Sequence, residues 1–125
     1  MKNLVQNFTN QLKEAIDISE KAVLSKKKNI HNIVISGLGG SGIGGTIVSD
    51  LIYDSCTVPV TIVKDYFSPA FVSQNTLLIA SSYSGNTEET LQAVEQAIGK
   101  GAQVVCVTSG GKILEMAKQH QFDFI

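Results

Sequence analysis

The chain has 125 residues, 43% hydrophobic and 17% charged, with ten Lys, no Arg and eleven acidic residues, for a net charge of −1. That is the size of one ordinary domain with a single core, and the near-neutral balance excludes a broad electrostatic attraction to nucleic acid or anionic lipid. No apolar run approaches the roughly 20 residues that cross a bilayer, and Met1-Lys2-Asn3-Leu4 opens no signal core, so a cytoplasmic protein with no membrane partner is expected.

Residues 3–25 place Leu4, Phe8, Leu12, Ile16 and Val23 at helical spacing, with Ala15 and Ala22 beside them. This predicts a leading helix with one buried stripe. The only basic run, Lys26-Lys27-Lys28, is expected to follow that helix, where positive charge suits the negative end of the dipole. Four short apolar runs come next: Ile33-Val34-Ile35, Val60-Thr61-Ile62-Val63, Leu77-Leu78-Ile79-Ala80 and Val104-Val105-Cys106-Val107. None alternates strictly with polar residues, which marks strands buried on both faces of a parallel sheet. Between them, crossover helices are predicted from Ser41 to about Asp54, from a Ser68-Pro69 start signal, from Thr87 to Ile98 with Gly99 and Gly101 closing it, and over 112–119. Phe122-Asp123-Phe124-Ile125 reads as a fifth strand.

Strand and helix in alternation predict a three-layer α/β/α sandwich around a five-stranded parallel sheet, flavodoxin-like, with right-handed crossovers. The core spans about 31–125, and the whole of 1–125 reads as a single domain. A chain that stops on its last core strand is expected to be a piece of a longer protein. Cys56 and Cys106 lack metal-like spacing. Cys106, inside an apolar run, is expected to be a small buried hydrophobe, and a reducing compartment follows as the default.

In such a sheet ligands bind beyond the carboxyl ends of the strands, and two loops fall there. The first, Ser36 to Gly45, holds six glycines in ten residues. Glycine lets a ligand approach the backbone amides closely. Ser41 is expected at the start of the next helix, as a cap or as a donor to a bound oxygen. Gly44 and Gly45 inside a helix cost roughly 1 kcal/mol each against Ala, which close packing would explain.

The second loop, Ser82-Tyr83-Ser84-Gly85-Asn86-Thr87-Glu88-Glu89-Thr90, groups three hydroxyls around a glycine at a helix start. Free amides and the positive dipole end lie there. A phosphate monoester brings about −1.5 to −2 charges and several acceptor oxygens, a demand that amides and hydroxyls meet without an Arg. Asn86 and Glu89 also have the spacing of a capping pair. One Ser or Asn suffices for a cap, however, and three hydroxyls exceed that need. Glu88 and Glu89 suit the dipole better than they suit a catalytic base.

These loops resemble those of the SIS (sugar isomerase) domain family, most closely its bifunctional phosphoglucose/phosphomannose isomerase branch. That branch carries a Gly-Gly-Ser-Gly loop, here Gly39-Gly40-Ser41-Gly42, and the Ser82 to Thr90 pattern above. The resemblance implies that Gly40 and Ser41 contact the sugar and that Ser82, Ser84 and Thr87 bind its phosphate. It implies interconversion of glucose 6-phosphate or mannose 6-phosphate with fructose 6-phosphate through an enediol-like species. No metal or organic cofactor is implied. Such enzymes resemble two tandem SIS domains, and this chain matches the first. The family's Glu base, ring-opening His, Lys and Arg would lie beyond Ile125, so no catalytic residue is expected within the chain and the piece alone is expected to be inactive. SIS domains usually pair, which implies a homodimer.

His31 and His120 precede strands and are expected at the opposite edge of the sheet. Two rivals remain. Gly37-x-Gly39-x-x-Gly42 after a strand, with Asp65 after the next, fits a dinucleotide fingerprint, but that fingerprint leaves the hydroxyl-rich loop without a role. A sugar-phosphate sensor domain is the other, although no basic helix-turn-helix precedes the core.

Overall fold

A computed structural model describes residues 1–125. Along the chain run α1 (Lys2–Gln6), α2 (Phe8–Lys21), β1 (Asn32–Ser36), α3 (Gly39–Leu51), β2 (Val60–Val63), β3 (Thr76–Ser81), α4 (Glu88–Gly99), β4 (Gln103–Val107), α5 (Gly111–His120) and β5 (Asp123–Phe124). The five strands form one sheet in the order β2-β1-β3-β4-β5, and every pairing is parallel. Val34, Leu78 and Val104 lie side by side in register. They face α4 and α5, and with Ala93, Val94, Ala97, Ile113 and Ala117 they build the core. Small residues on α4 let that helix sit close to the sheet. Cys106 is fully buried there, and burial pushes its thiol up to about 11.

The alternate side chains of the sheet meet α3. A Cβ on Gly45 would stand 2.8 Å from Ile35 Cγ2 and 3.7 Å from Ile62 Cδ1, so that glycine is where α3 touches the sheet. Gly44 has no atom within 4 Å of the same position, and close packing within the chain does not account for it. Helices on both faces make the three-layer α/β sandwich that the apolar runs predict.

Four local expectations are corrected. The leading segment is two helices, α1 and α2, hinged at Asn7, and neither contains a buried residue. Leu4, Phe8, Leu12 and Ile16 are all more than half exposed; the spacing identifies an apolar stripe but not a surface to cover it. No helix follows Ser68-Pro69. That stretch is a turn closed by the Val72 N–H on the Pro69 carbonyl, and Gln96 of α4 grips it, accepting from Ser68 N–H at 2.8 Å and donating to the Tyr66 carbonyl at 2.7 Å. The basic run does not cap α2, which ends at Lys21. Lys27 pairs with Asp123 of β5 at 2.6 Å, and this bond, with those from Ser25, holds the Asp123 carboxyl down at about 2. Ser41 does not cap α3 either: the N-cap is Leu38, with no side-chain bond.

No helix of the chain is long and apolar enough to cross a membrane.

Candidate functional site

β1 and β3 are neighbours at the centre of the sheet, so the loops that leave their carboxyl ends emerge side by side. A Cβ on Gly37 would lie 2.9 Å from the Ser81 carbonyl; glycine allows the two loops to touch. An open cavity of about 530 Å³ is lined by Gly40, Ser41 and Gly44 from one loop and helix and by Ser81 and Tyr83 from the other, over an apolar floor that includes Ile79 and Val107. Gly40 and Ser41 are on the first turn of α3. The cavity therefore opens between the start of α3 and the end of β3, at the carboxyl edge of the sheet where ligands of such folds bind. Ser82, Ser84 and Thr87 stand beside it and do not line it.

The second loop is held in shape by its own side chains. Ser82 is 1% exposed. Its hydroxyl accepts from Gly85 N–H at 3.1 Å and shares a 2.8 Å bond with Thr87 Oγ1. It is thus turned inward, where it fixes Thr87 rather than facing solvent. Ser84 is exposed, and its hydroxyl accepts from Asn86 N–H at 3.2 Å. Thr87 is the N-cap of α4 by position but makes no side-chain cap bond. Asn86 does not cap the helix as its spacing with Glu89 predicts. Its amide bonds the Ser84 carbonyl at 3.2 Å, and its carbonyl oxygen accepts from Lys112 N–H at 3.1 Å.

What remains is a set of unclaimed donors. The N–H groups of Tyr83, Ser84, Thr87, Glu88, Glu89 and Thr90 have no acceptor within the chain, nor do those of Leu38, Gly39, Gly40 and Ser41 at the start of α3. Two helix ends therefore aim free amides at one edge of the sheet, a place suited to an anion. Beneath them the buried hydroxyls of Ser36 and Thr90 also have no partner in the chain.

The charged surroundings are mixed. Tyr66, in the connection after β2, reaches Glu88 Oε2 at 3.3 Å. Glu89 and then its own desolvation and Glu88 raise the phenol above its ordinary value. Both carboxylates lean on the Tyr66 side of α4. Sequence reading missed two features. Lys64 lays its chain along the glycine loop, with Cε 3.3 Å from where a Gly42 Cβ would be; its place just after β2 was the available signal. The Thr108-Ser109-Gly110-Gly111 loop packs directly behind the second loop, and its glycines and hydroxyls repeat the composition of the first two.

His31 N–H bonds the Asn75 carbonyl at the start of β1, and His120 ends α5 stacked on Phe122. Both are at the amino edge, away from the groove. A smaller hollow of about 370 Å³ below the end of α3 contains Cys56 but no charged side chain, and offers no comparable chemistry. No group of three or more His, Cys, Asp or Glu is placed to hold a metal ion.

Comparison with known proteins agrees with this fold. The family model described as SIS domain matches residues 23–125. A bifunctional phosphoglucose/phosphomannose isomerase of Caldicellulosiruptor bescii is 46% identical over 122 residues, 97% of this chain and 36% of that protein. One from Thermoplasma acidophilum is 58% identical over 85 residues, 68% of this chain and 26% of that protein. The chain thus spans about a third or less of the length of these curated relatives. Among solved structures, the Vibrio vulnificus NanR protein complexed with ManNAc-6P superposes with a TM-score of 0.59 at 25% identity, over 70% of this chain and 35% of that one.

Proposed function

The chain belongs to the SIS domain family, and from that premise we propose that it is the sugar-phosphate-binding domain of an isomerase that interconverts glucose 6-phosphate or mannose 6-phosphate with fructose 6-phosphate. Its relatives carry that activity in their names, and they extend well beyond the part this chain matches. The longer protein is read as two tandem SIS domains, with this one first and two copies forming a dimer.

The observation that carries the proposal is the row of unclaimed amides from Ser84 and from Thr87 to Thr90. A phosphate dianion placed there receives those N–H groups, the positive end of α4, and the hydroxyls of Ser84 and Thr87. Ser82 contributes by orienting Thr87 through their 2.8 Å bond. Amide donors held by secondary structure need no reorganisation when the ligand arrives. The sugar then extends across the cavity toward Gly40 and Ser41. Isomerisation needs a general base, a ring-opening group and a stabiliser of the enediolate. In this reading those come from the remainder of the longer protein, and the chain supplies binding and orientation. The likeness to NanR with its sugar phosphate favours a sensor as the second reading. The higher identities to the isomerases weigh against it.

Calorimetric titration of the 125-residue chain tests the proposal. Fructose 6-phosphate is expected to bind, unphosphorylated fructose to give no heat, and the chain to show no turnover. Equal binding of both sugars, or none of the phosphate, would overturn it; turnover by the chain would refute the assignment of the chemistry elsewhere.

A further inference from the structure

We infer that the Thr108 to Lys112 loop at the start of α5 is a brace that turns the backbone of the Ser82–Thr87 loop into an anion-binding orientation, with Ser109 as its positioning residue. The inference rests on the proposed reading of that loop as the phosphate site.

In a trans peptide the carbonyl and the following N–H point to opposite sides. The Tyr83 carbonyl accepts twice from Ser109, from its N–H at 3.2 Å and its hydroxyl at 2.5 Å. The Ser84 N–H in the same peptide plane is therefore directed away from the start of α5, where no atom of the chain accepts it. The Gly85 carbonyl accepts from Ile113 N–H at 3.0 Å. The Ser84 carbonyl between them is held by Asn86, which Lys112 N–H anchors in turn. Three successive carbonyls are thus committed elsewhere. A carbonyl left facing a phosphate would repel it, so their removal matters as much as the presence of the amides.

The two loops are also fitted backbone to backbone. A Cβ on Gly85 would collide with the Gly110 carbonyl, and one on Gly111 with the Ser84 carbonyl. Ser109 is not needed to begin α5, whose N-cap is Gly110 without a side-chain bond. It is exposed, so water could satisfy its hydroxyl, yet that hydroxyl is given to Tyr83.

The test compares the chain with Ser109→Ala and Ser109→Thr, reading fructose 6-phosphate affinity and melting temperature. Because Ser109 is exposed, Ser109→Ala is expected to keep its melting temperature and to bind about threefold to tenfold more weakly. Ser109→Thr, which keeps the hydroxyl, is expected to restore most of the affinity. Unchanged binding by Ser109→Ala overturns the inference, as does a loss that follows the melting temperature and that Thr does not rescue. Absence of binding by the unsubstituted chain instead overturns the reading of the site, and the brace falls with it.

Discussion

The starts of α4 and α5 are neighbours at one edge of the sheet, both entered through loops of Ser, Thr and Gly, yet they end in opposite states. At α4 the first amides have no acceptor in the chain. At α5 all but one of the equivalent donors are spent: Ser109 and Ile113 N–H on the carbonyls of Tyr83 and Gly85, and Lys112 N–H on Asn86, with Gly111 N–H left over. Composition does not distinguish the two loops. What distinguishes them is where the amides go, and the buried accounting of donors and acceptors separates a binding surface from the structure that supports it.

The largest expected effect breaks the contact between the two loops. Gly85 has φ +69° and abuts the Gly110 carbonyl. Gly85→Ala is expected to cost about 2–4 kcal/mol in urea denaturation, from left-handed strain and overpacking together, and to abolish ligand binding. Gly99→Ala is its control. Gly99 lies in α4 with nothing within 4 Å of the added atom, and stability should rise by about 0.5–1 kcal/mol with binding unchanged. A smaller effect sharpens the contrast from the α4 side. Thr87→Val preserves shape and removes one hydroxyl. Fructose 6-phosphate affinity should fall about tenfold, while Ser82 keeps its bond from Gly85 N–H and the fold persists.

The smallest effect separates the regions by pH. A phosphate monoester takes up its second proton near pH ~6, so affinity at the α4 start should decline as pH falls through that value. The strand beyond α5 is tied by Asp123, whose carboxyl is held at about 2 by Lys27 and Ser25. A lowered folded-state value contributes stability that is present above the unfolded carboxyl value and lost as pH falls from there through about 2. Melting temperature should therefore hold while binding is already fading. Asp123→Asn should flatten the acid limb of the melting profile without altering the binding limb.

Much of this architecture was legible from local pattern. The four apolar runs gave the strands because a sheet covered on both faces requires apolar side chains in both directions. Glycine and hydroxyl clusters marked both loops at the carboxyl edge. The failures share a cause, which is tertiary contact. Ser68-Pro69 carries a valid helix start signal, but Gln96, 28 residues away, and the bonds among Ser73, Asn75 and Thr76 offer the backbone another solution. Asn86 has the spacing of a cap and is instead claimed by Lys112. Lys27 finds Asp123 across 96 residues. The stripe on α1 and α2 is real, but periodicity names a face and not its neighbour. The brace was invisible because the bonds from Ser109 and Ile113 end on backbone carbonyls, which no residue pattern encodes.

The most direct measurement is an amide-resolved NMR titration of the chain with fructose 6-phosphate. The largest shifts should fall on the N–H groups of Ser84, Thr87, Glu88 and Glu89, with those of Lys112 and Ile113 nearly still. Shifts centred on the start of α5, or scattered over the lysines with none at α4, would contradict the assignment of the anion to the free amides.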